Sequence, residues 1–257
     1  MTQKIFITGA SGGLGAQFAH AYDAPGNIIA ITARRREELE AVAASLKCET
    51  VIYPVDVTDH AGLKAAAADF IARFGAPDIV IANAGISAGT LTEFEEDLPS
   101  FERIFKVNVV GLFATFTPFV QAMKDKGGKL VGIASVAGIR GMPGSGGYCA
   151  SKAAAISYLE ALRGELKPYG IEVVTLLPGY IRTPLTEKNP YFMPFLMEAD
   201  DAARRMRRAI DRGASYAVVP WQMGIVAKLM RLIPNWLFDL VLAGKARKPR
   251  AVEGQKM

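Results

Sequence analysis

A tyrosine and a lysine four residues apart, Tyr148 and Lys152 in the run GGYCASKAAA, are the pair best suited to chemistry in this chain. Residues at this spacing share one face of a helix. A free tyrosine has a pKa of about 10, so a tyrosine that exchanges protons near neutral pH needs a neighbouring cation to stabilise its phenolate. Lys152 has the charge and the spacing to supply it. Taken alone, however, such a pair is more often an ordinary part of a surface helix.

A glycine cluster near the N-terminus, in KIFITGASGGLGAQFAHAY, follows a short apolar stretch and leads into a helical pattern. This order predicts a strand, a phosphate-binding loop and a helix whose N-terminal amides face the anion. Gly9 allows the tight turn, Gly13 a close approach of the backbone to a pyrophosphate, and Gly15 close packing of helix on sheet. The chain has 25 glycines, so a plain loop is the alternative for this run taken alone.

Further motifs stand in a fixed order along the chain, and with them the chain resembles the short-chain dehydrogenase/reductase family. That family has the loop T-G-x-x-x-G-x-G and a catalytic helix with Y-x-x-x-K, and both patterns are present. The intervals also match, with 27 residues from Asn108 to Ser135 and 13 from Ser135 to Tyr148. The resemblance covers residues 4 to about 184 and does not choose a substrate. The remaining motifs are Asn83-Ala84-Gly85 after DIVIA, Asn108 in FKVNVVG, Ser135 at the end of KLVGIAS, and Pro178-Gly179 after VVTLL.

The resemblance implies hydride transfer between a nicotinamide and a carbonyl or secondary alcohol. Ser135 would donate a hydrogen bond to the substrate oxygen, and Tyr148 would supply or remove its proton. Lys152 would lower the pKa of Tyr148 and bind the nicotinamide ribose, and Asn108 would hold a water that connects Lys152 to solvent. The implied cofactor-binding residues are Gly9, Ser11, Gly13, Leu14, Gly15, Arg34, Arg35, Asp56, Val57, Asn83, Ala84, Gly85, Tyr148, Lys152, Pro178, Gly179, Ile181 and Thr183, and no metal site is expected.

Cofactor choice is expected to depend on the residues after the second strand, Thr32-Ala33-Arg34-Arg35-Arg36. No acid stands there to repel a 2'-phosphate, and Arg34 can stack on adenine while pairing with phosphate. In the family an arginine at this place goes with NADP, so NADPH is predicted over NAD. The alternative is that the arginines only solvate the start of a helix. Asp56 and Val57 match residues that contact adenine, and Thr183 either binds the carboxamide or only precedes Pro184 in a turn.

Apolar strand-like runs alternate with helical patterns along the whole chain. Seven strands separated by helices predict an α/β fold, a doubly wound parallel sheet of the Rossmann type with helices on both faces. Right-handed crossovers place the functional residues beyond the carboxyl ends of the strands, where the strand order reverses. The runs are KIFIT, NIIAIT, TVIYPV, DIVIA, KLVGIAS, IEVVTLL and YAVVP.

Length and composition favour one domain: 257 residues with 51% hydrophobic content can bury a large core. Residues 1–220 are expected to form the catalytic domain, and residues 221–257 a helical extension and basic tail of the same domain. The first strand begins within about three residues of Met1, which leaves no signal peptide and favours the cytoplasm. Cys48 and Cys149 have neither a disulfide-framework nor a metal-site spacing.

The segment after the Pro-Gly motif, LTEKNPYFMPFLMEADDAA, is rich in aromatic residues and methionine. In the family this is the substrate lid, and its composition suits an uncharged, hydrophobic ketone or alcohol. Closure of the domain core is an equally good interpretation. Cellular NADP pools usually favour reduction, so carbonyl reduction is the expected direction. The alternative functions are an NADP-binding redox sensor and a membrane-associated interaction protein, each without catalysis.

Basic charge is concentrated at the C-terminus: residues 221–257 carry a net charge of +5, and residues 1–220 are neutral. This distribution does not suit a nucleic-acid groove. Trp221, Ile225, Leu229 and Leu232 share one helical face, and cations at positions 245–250 follow a second apolar stretch. One expectation is that these residues form a helical pair that lies on an anionic membrane, at its inner face. The other is that the pair packs on its own domain or on a partner subunit. Family members pair through the helices that here hold residues 101–124 and 148–168, so a homodimer or homotetramer is expected.

Overall fold

Seven parallel strands form the central sheet of the computed structural model, which describes residues 2–187, 189–244 and 247–250. The strands coincide to within about two residues with the apolar runs expected from the sequence, because β-branched side chains suit a sheet that is buried on both faces. Two further strands of two residues each form a separate small pair. In chain order the strands are β1 Lys4–Thr8, β2 Ile28–Thr32, β3 Glu49–Tyr53, β4 Ile79–Ala82, β5 Gly128–Ile133, β6 Ile171–Pro178, β7 Ile181–Arg182, β8 Met197–Glu198 and β9 Tyr216–Val219.

The strand order in the large sheet is β3-β2-β1-β4-β5-β6-β9. Every neighbouring pair is parallel, with Ile5 of β1 opposite Ile29 of β2 and Ile79 of β4. The chain first builds outward from β1 to β3 and then returns to place β4 on the other side of β1. The strand order therefore reverses between β1 and β4, which opens a crevice at their carboxyl ends. The predicted doubly wound α/β fold is confirmed.

Helices cover both faces of the sheet, and alternation along each strand separates the two cores. Ile5 and Ile7 of β1 face a cluster that contains Phe18, whereas Phe6 faces the cluster of Phe70. The first cluster includes α1, α2 and α7, and the second includes α3, α5 and α6. The helices are α1 Gly13–Tyr22, α2 Arg36–Ala44, α3 His60–Phe74, α4 Leu98–Phe105, α5 Gly111–Met123, α6 Gly146–Leu166, α7 Ala199–Asp211, α8 Trp221–Leu232 and α9 Asn235–Leu242.

Helix α4 runs into α5 through a π-helical turn at Lys106–Val110. The combined helical stretch Glu95–Met123 is, among the described residues, long and apolar enough to cross a membrane by length and composition alone. Its inward side is occupied in the fold, because Phe116, Phe119 and Met123 are buried against the sheet. This stretch therefore packs one side on the sheet, while Leu98, Phe101 and Phe113 remain exposed.

The C-terminal helices α8 and α9 lie beyond β9 and are fastened to the body by Arg140. The Arg140 guanidinium donates to the carbonyls of Met230 and Ile233, the latter at 2.7 Å, and lies 3.7 Å from the ring centroid of Phe238. Met223 and Ala227 of α8 are buried with residues of β6 and the loop after β5. The opposite side of this helical pair is open to solvent.

Candidate active site

A cavity of about 510 Å³ opens at the carboxyl ends of β1, β4, β5 and β6. It brings together residues that are up to 177 positions apart in the sequence, from Gly9 to Thr186. Of the residues that the sequence pattern assigns to the site, all except Asn108 line this cavity. They are Gly9, Ser11, Gly13, Leu14, Gly15, Arg34, Arg35, Asp56, Val57, Asn83, Ala84, Gly85, Ser135, Tyr148, Lys152, Pro178, Gly179, Ile181 and Thr183.

The glycine loop between β1 and α1 is packed too closely for larger residues. Gly9 has a φ of +67°, and a Cβ on Gly15 would lie 2.2 Å from the Gly9 carbonyl oxygen. Asn83 at the end of β4 fixes the loop, since its side-chain amide donates to the carbonyls of Thr8 at 3.0 Å and Gly9 at 3.1 Å. No side chain caps the first turn of α1. Its amides therefore remain able to bind an anion in the cavity.

Tyr148 is the third residue of α6, and its phenol lies beside Ser135, two residues after the end of β5. Burial raises the pKa of Tyr148 to about 12, and a hydrogen bond with Ser135 opposes part of that rise. The Ser135 hydroxyl also accepts from the Ala137 amide at 3.1 Å, which caps the following turn. The Ser135 hydroxyl therefore both caps the turn after β5 and lies beside Tyr148. A phenol with this pKa is fully protonated at neutral pH.

Lys152, one helical turn after Tyr148, is only 4% exposed. Its ammonium donates to the Ile133 carbonyl at 2.7 Å and lies 5.9 Å from the centroid of the Tyr148 ring. Burial lowers the pKa of Lys152 to about 8. The cation expected to lower the pKa of Tyr148 donates to the strand carbonyl of Ile133 in this structure, and burial is the main cause of the raised pKa of the phenol.

Asn108 lies in the π-helical turn, behind the cavity wall, with 1% of its surface exposed. Its carbonyl oxygen accepts from the Ile86 amide at 2.9 Å, and its amide donates to the Ile86 carbonyl at 3.0 Å and to Ser151 at 2.9 Å. These bonds join the loop after β4 to α6. Asn108 therefore positions the backbone around Lys152 in this structure.

The end of the cavity where adenine is expected is formed by residues that follow β2 and β3. The Arg34 guanidinium lies 3.9 Å from the Asp56 carboxylate, and Asp56 also accepts from the amide and the hydroxyl of Thr58, each at 2.9 Å. Arg35 pairs with Glu38 at 2.6 Å. Glu38 also lines the cavity, so the expectation that no acid stands near this position needs correction. Glu38 was not predicted, because it reaches the cavity only through the first turn of α2, which directs it back toward the cavity.

The substrate side of the site is rich in aromatic groups. The rings of Tyr180 and Tyr191 meet edge to face at 6.3 Å between centroids. Burial, then the proximity of Tyr180 and Tyr148, raises the pKa of Tyr191 to about 12. Part of the segment after the Pro-Gly motif closes the core, since Met197 is buried there, whereas Phe192 is 87% exposed; its role as a substrate lid stays a prediction.

Thr183 lies in a turn before Pro184, as one of its two interpretations expects, and its role toward a carboxamide stays a prediction. It begins a turn in which its amide donates to the Thr186 hydroxyl at 3.1 Å, and its side chain faces the glycine loop, 3.5 Å from where a Cβ of Gly13 would lie. The same cavity wall thus carries the loop from β1 and the loop after β6.

The donor set of the cavity fits a nicotinamide dinucleotide. A buried ammonium at Lys152, the open amides of α1 and the basic edge at Arg34 offer cationic or donor groups to a phosphate-bearing, hydroxyl-rich ligand. Groups of three or more His, Cys, Asp or Glu side chains that could hold a metal ion are absent from the described ranges.

Comparison with known proteins gives the same family as the sequence motifs. A family model described as short chain dehydrogenase matches residues 3–192. An "Uncharacterized oxidoreductase" of Myxococcus xanthus is 36% identical over 243 residues, which cover 92% of this chain and 95% of that protein. The "2-dehydro-3-deoxy-L-rhamnonate dehydrogenase (NAD(+))" of a Sphingomonas strain is 36% identical over 185 residues, 72% of this chain and 74% of that protein.

Solved structures agree on the fold. The crystal structure of a short chain dehydrogenase from Burkholderia cenocepacia in complex with NADP has a TM-score of 0.81 and 24% sequence identity. The match covers 95% of this chain and 98% of that one. Similar proteins therefore include one named for NAD(+) and one crystallised with NADP.

Proposed function

The chain belongs to the short-chain dehydrogenase/reductase family and is an NAD(P)-binding oxidoreductase that acts on CH-OH or C=O groups; within that family we propose that it is an NADPH-dependent reductase of an apolar carbonyl substrate. The observation that carries the proposal is the placement of Tyr148, Ser135 and Lys152 in the same cavity as the glycine loop. When bound, the nicotinamide supplies the hydride.

In the proposed reaction Tyr148 is the general acid. Its raised pKa keeps the phenolic proton in place until the substrate oxygen gains negative charge, and Ser135 donates a second hydrogen bond to that oxygen. The phenolate left behind lies on the same helix face as Lys152, whose ammonium stabilises it. Asn108 then supports proton return to Tyr148 through Lys152, by holding the backbone and a water on the solvent side.

The proposed cofactor is NADP rather than NAD. Arg34 is the residue expected to meet the 2'-phosphate, while Asp56 and Val57 face the adenine. The pyrophosphate would lie on the amides of Ser11, Gly13 and Leu14. Arg35 contributes less in this proposal, because it is already paired with Glu38.

The proposed substrate has an apolar body. The half-buried aromatic rings of Tyr180 and Tyr191 and the half-buried Met193 and Leu196 offer a surface that suits hydrocarbon or an aromatic ring. The alternatives, an NADP-binding redox sensor or an interaction protein without catalysis, would not need a protonated phenol and a serine hydroxyl at one point of the cavity.

Self-association is proposed through α4, α5 and α6, as a homodimer or homotetramer. Leu98, Phe101 and Phe113 are exposed by 39% to 55% on this side of the molecule, and Phe113 lies against Tyr158 of α6. Exposed apolar patches of this kind mark contact surfaces.

We also propose that the enzyme is cytoplasmic and that its C-terminal helices make a peripheral contact with the inner face of a membrane. In this proposal residues 221–257 are an extension of the catalytic domain, residues 1–220. Trp221, Leu232 and Trp236 are exposed by 64% to 78%, and the exposed Lys228 lies between the apolar positions. Apolar anchors beside cations match an anionic lipid surface. Lys245, which the sequence pattern adds to this cationic group, lies outside the described residues.

The proposed chemistry is tested by substituting Tyr148→Phe and measuring NADPH oxidation over a panel of aliphatic and aromatic carbonyl compounds. The variant should lose at least about a hundredfold in turnover, the range of general acid catalysis, and should bind NADPH as the wild type does because the ring remains. Tyr169→Phe, at an exposed tyrosine after α6, is the matched control and should be fully active. A Tyr148→Phe enzyme with more than about a tenth of wild-type turnover contradicts the assignment.

A further inference from the structure

The C-terminal residues 247–250 lie near Tyr148, which lines the cavity, and form a short strap beside the loop that follows β4. Arg250 pairs with Gly89 in a parallel bridge, and the Gly89 amide donates to the Pro249 carbonyl at 2.9 Å. A Cβ on Gly89 would lie 2.2 Å from the Lys248 carbonyl oxygen. This close approach places the strap in a defined position on the loop.

Arg250 fastens the strap. Its guanidinium donates to both carboxylate oxygens of Asp97, at 2.8 and 3.1 Å, and to Glu96 at 2.9 Å, and it lies 3.7 Å from the centroid of the Phe94 ring. The Asp97 side chain is 3% exposed, and the hydrogen bonds from Arg250 lower the pKa of its carboxyl below the usual range. The Nε–H is shared between the two oxygens of Asp97 while Nη2 donates to Glu96, so two neighbouring carboxylates hold the guanidinium.

Lys248 is the residue that the strap carries to the catalytic tyrosine. Its ammonium donates to the Ser87 hydroxyl at 2.7 Å and lies 5.7 Å from the centroid of the Tyr148 ring. Within the described residues, no carboxylate lies within 4 Å of this ammonium, and burial lowers the pKa of Lys248 to about 8. The site therefore holds a partly buried cation without a carboxylate partner, next to the reacting group.

The Ser87 hydroxyl strengthens this subsite. Because it accepts from Lys248, its own hydrogen remains able to donate to another acceptor. One ammonium and one hydroxyl match the single charge and the two oxygens of a carboxylate. A phosphate dianion would call for more cationic donors, usually from arginine.

We propose that Lys248 and Ser87 form a carboxylate-binding subsite, so that the substrate is a carbonyl compound with an apolar body and one carboxylate group. This inference rests on the proposed reductase function and specifies its substrate. The aromatic groups around Tyr191 contact the body of the substrate, and the strap binds its charged end. The strap thereby makes the last residues of the described chain a determinant of specificity.

The test is calorimetric binding to full-length protein saturated with NADPH, which does not depend on turnover. The probes are benzoate, 4-phenylbutyrate and octanoate, each compared with its primary amide. At least one carboxylate should bind about ten- to a hundredfold more tightly than its amide, the range for a charge-assisted hydrogen bond. Wild-type protein that binds all three pairs equally, or binds none of the carboxylates, overturns the proposal.

Variants separate a binding role from a structural one. Lys248→Met should remove the preference for carboxylate and leave amide binding within about twofold, whereas Lys248→Arg should keep the preference because the charge remains. Lys64→Met, at an exposed lysine of α3, is the control and should behave as wild type. Equal weakening of acid and amide by Lys248→Met would mean that the lysine only fastens the strap, and would refute the subsite.

The outcome is also separable from that of the catalytic proposal. Tyr148→Phe should keep the carboxylate preference while losing turnover. Loss of turnover without any carboxylate preference refutes the subsite alone, and retained turnover with a carboxylate preference refutes the role of Tyr148 alone.

Discussion

Lys152 illustrates how a group proposed for catalysis can lower the stability of the fold that holds it. Its ammonium is buried with a carbonyl as partner, and no described carboxylate forms an ion pair with it. A pKa near 8 in the folded protein, against about 10.4 in an unfolded chain, means that the charged form is destabilised by folding on the order of 3 kcal/mol at neutral pH. This penalty is complete below pH 8 and disappears as the pH rises toward the unfolded value.

Lys152→Met should therefore be inactive and yet more stable than wild type at pH 7. The folded wild-type protein binds fewer protons than its unfolded chain between about pH 8 and 10.4, so its stability gains on that of the variant as the pH rises through this interval. Thermal unfolding of the cofactor-free proteins at pH 7 and pH 10.5 measures the difference. A variant that is less stable at pH 7, or whose advantage persists at pH 10.5, would show that burial does not dominate the environment of Lys152.

Arg34 determines cofactor preference in the proposed function. Arg34→Ala should weaken NADPH by about ten- to a hundredfold and NADH much less, because only NADPH carries the 2'-phosphate that Arg34 is proposed to bind. Arg35→Ala is the matched control with a smaller effect, since Arg35 pairs with Glu38. Fluorescence titration with both cofactors measures the constants. An equal loss for both cofactors, or a wild-type protein that prefers NADH, counts against NADP.

The residues of the site were predictable from the sequence to the extent that they sit in local motifs. Gly9, Tyr148 and Lys152 each belong to a pattern whose spacing reports a loop or a helix face. Lys248 has no such pattern, because only the path of the chain after α9 brings it to Tyr148. The pKa of Tyr148 was also out of reach, since it depends on burial by side chains distant in the sequence.

At the scale of elements, the strap depends on the bond between Arg250 and the loop before α4. Arg250→Ala should free the strap and increase tryptic cleavage between Arg247 and Lys248 several-fold, because less free energy is then needed to open this segment. Mass spectrometry of a digestion time course follows that cut. Arg163→Ala, which removes an exposed arginine 3.9 Å from Glu160, is the control. Cleavage at an unchanged rate would mean that the contacts of Gly89 alone hold the strap.

The elements themselves were predictable where one physical signal is strong. The seven apolar runs fix the strands because a sheet buried on both faces requires continuous apolar residues. The pair β7 and β8 carries no such signal, since two residues are too few for a period. The π-helical turn around Asn108 was also not predicted. Its five residues are too few to show a period that differs from that of the α-helices on either side.

At the scale of the whole molecule, the C-terminal segment of the sequence carries both the net charge and an exposed apolar face, while its Lys248 and Arg250 are held in the strap. Residues 1–220 are neutral, and residues 221–257 carry the net charge of +5. The described part of this end shows Trp221, Ile225, Leu229 and Leu232 on one side of α8, exposed by 50% to 78%. Sequence periodicity predicted this face, and the structure leaves it without a partner inside the described chain.

Vesicle flotation tests whether this face contacts a membrane. Full-length protein should float with vesicles that contain anionic lipid, should float less with neutral vesicles, and should be released by salt, because Debye screening weakens the attraction of the cations. Leu229→Glu should abolish flotation by removing apolar insertion, and Lys228→Glu should weaken it by reversing a charge. Lys64→Glu changes the net charge equally on a different surface and should float as wild type does. Protein that stays in solution with anionic vesicles at low salt contradicts the membrane contact. The remaining interpretation of this face is then a subunit interface, and Leu229→Glu should show a loss of oligomer in analytical ultracentrifugation.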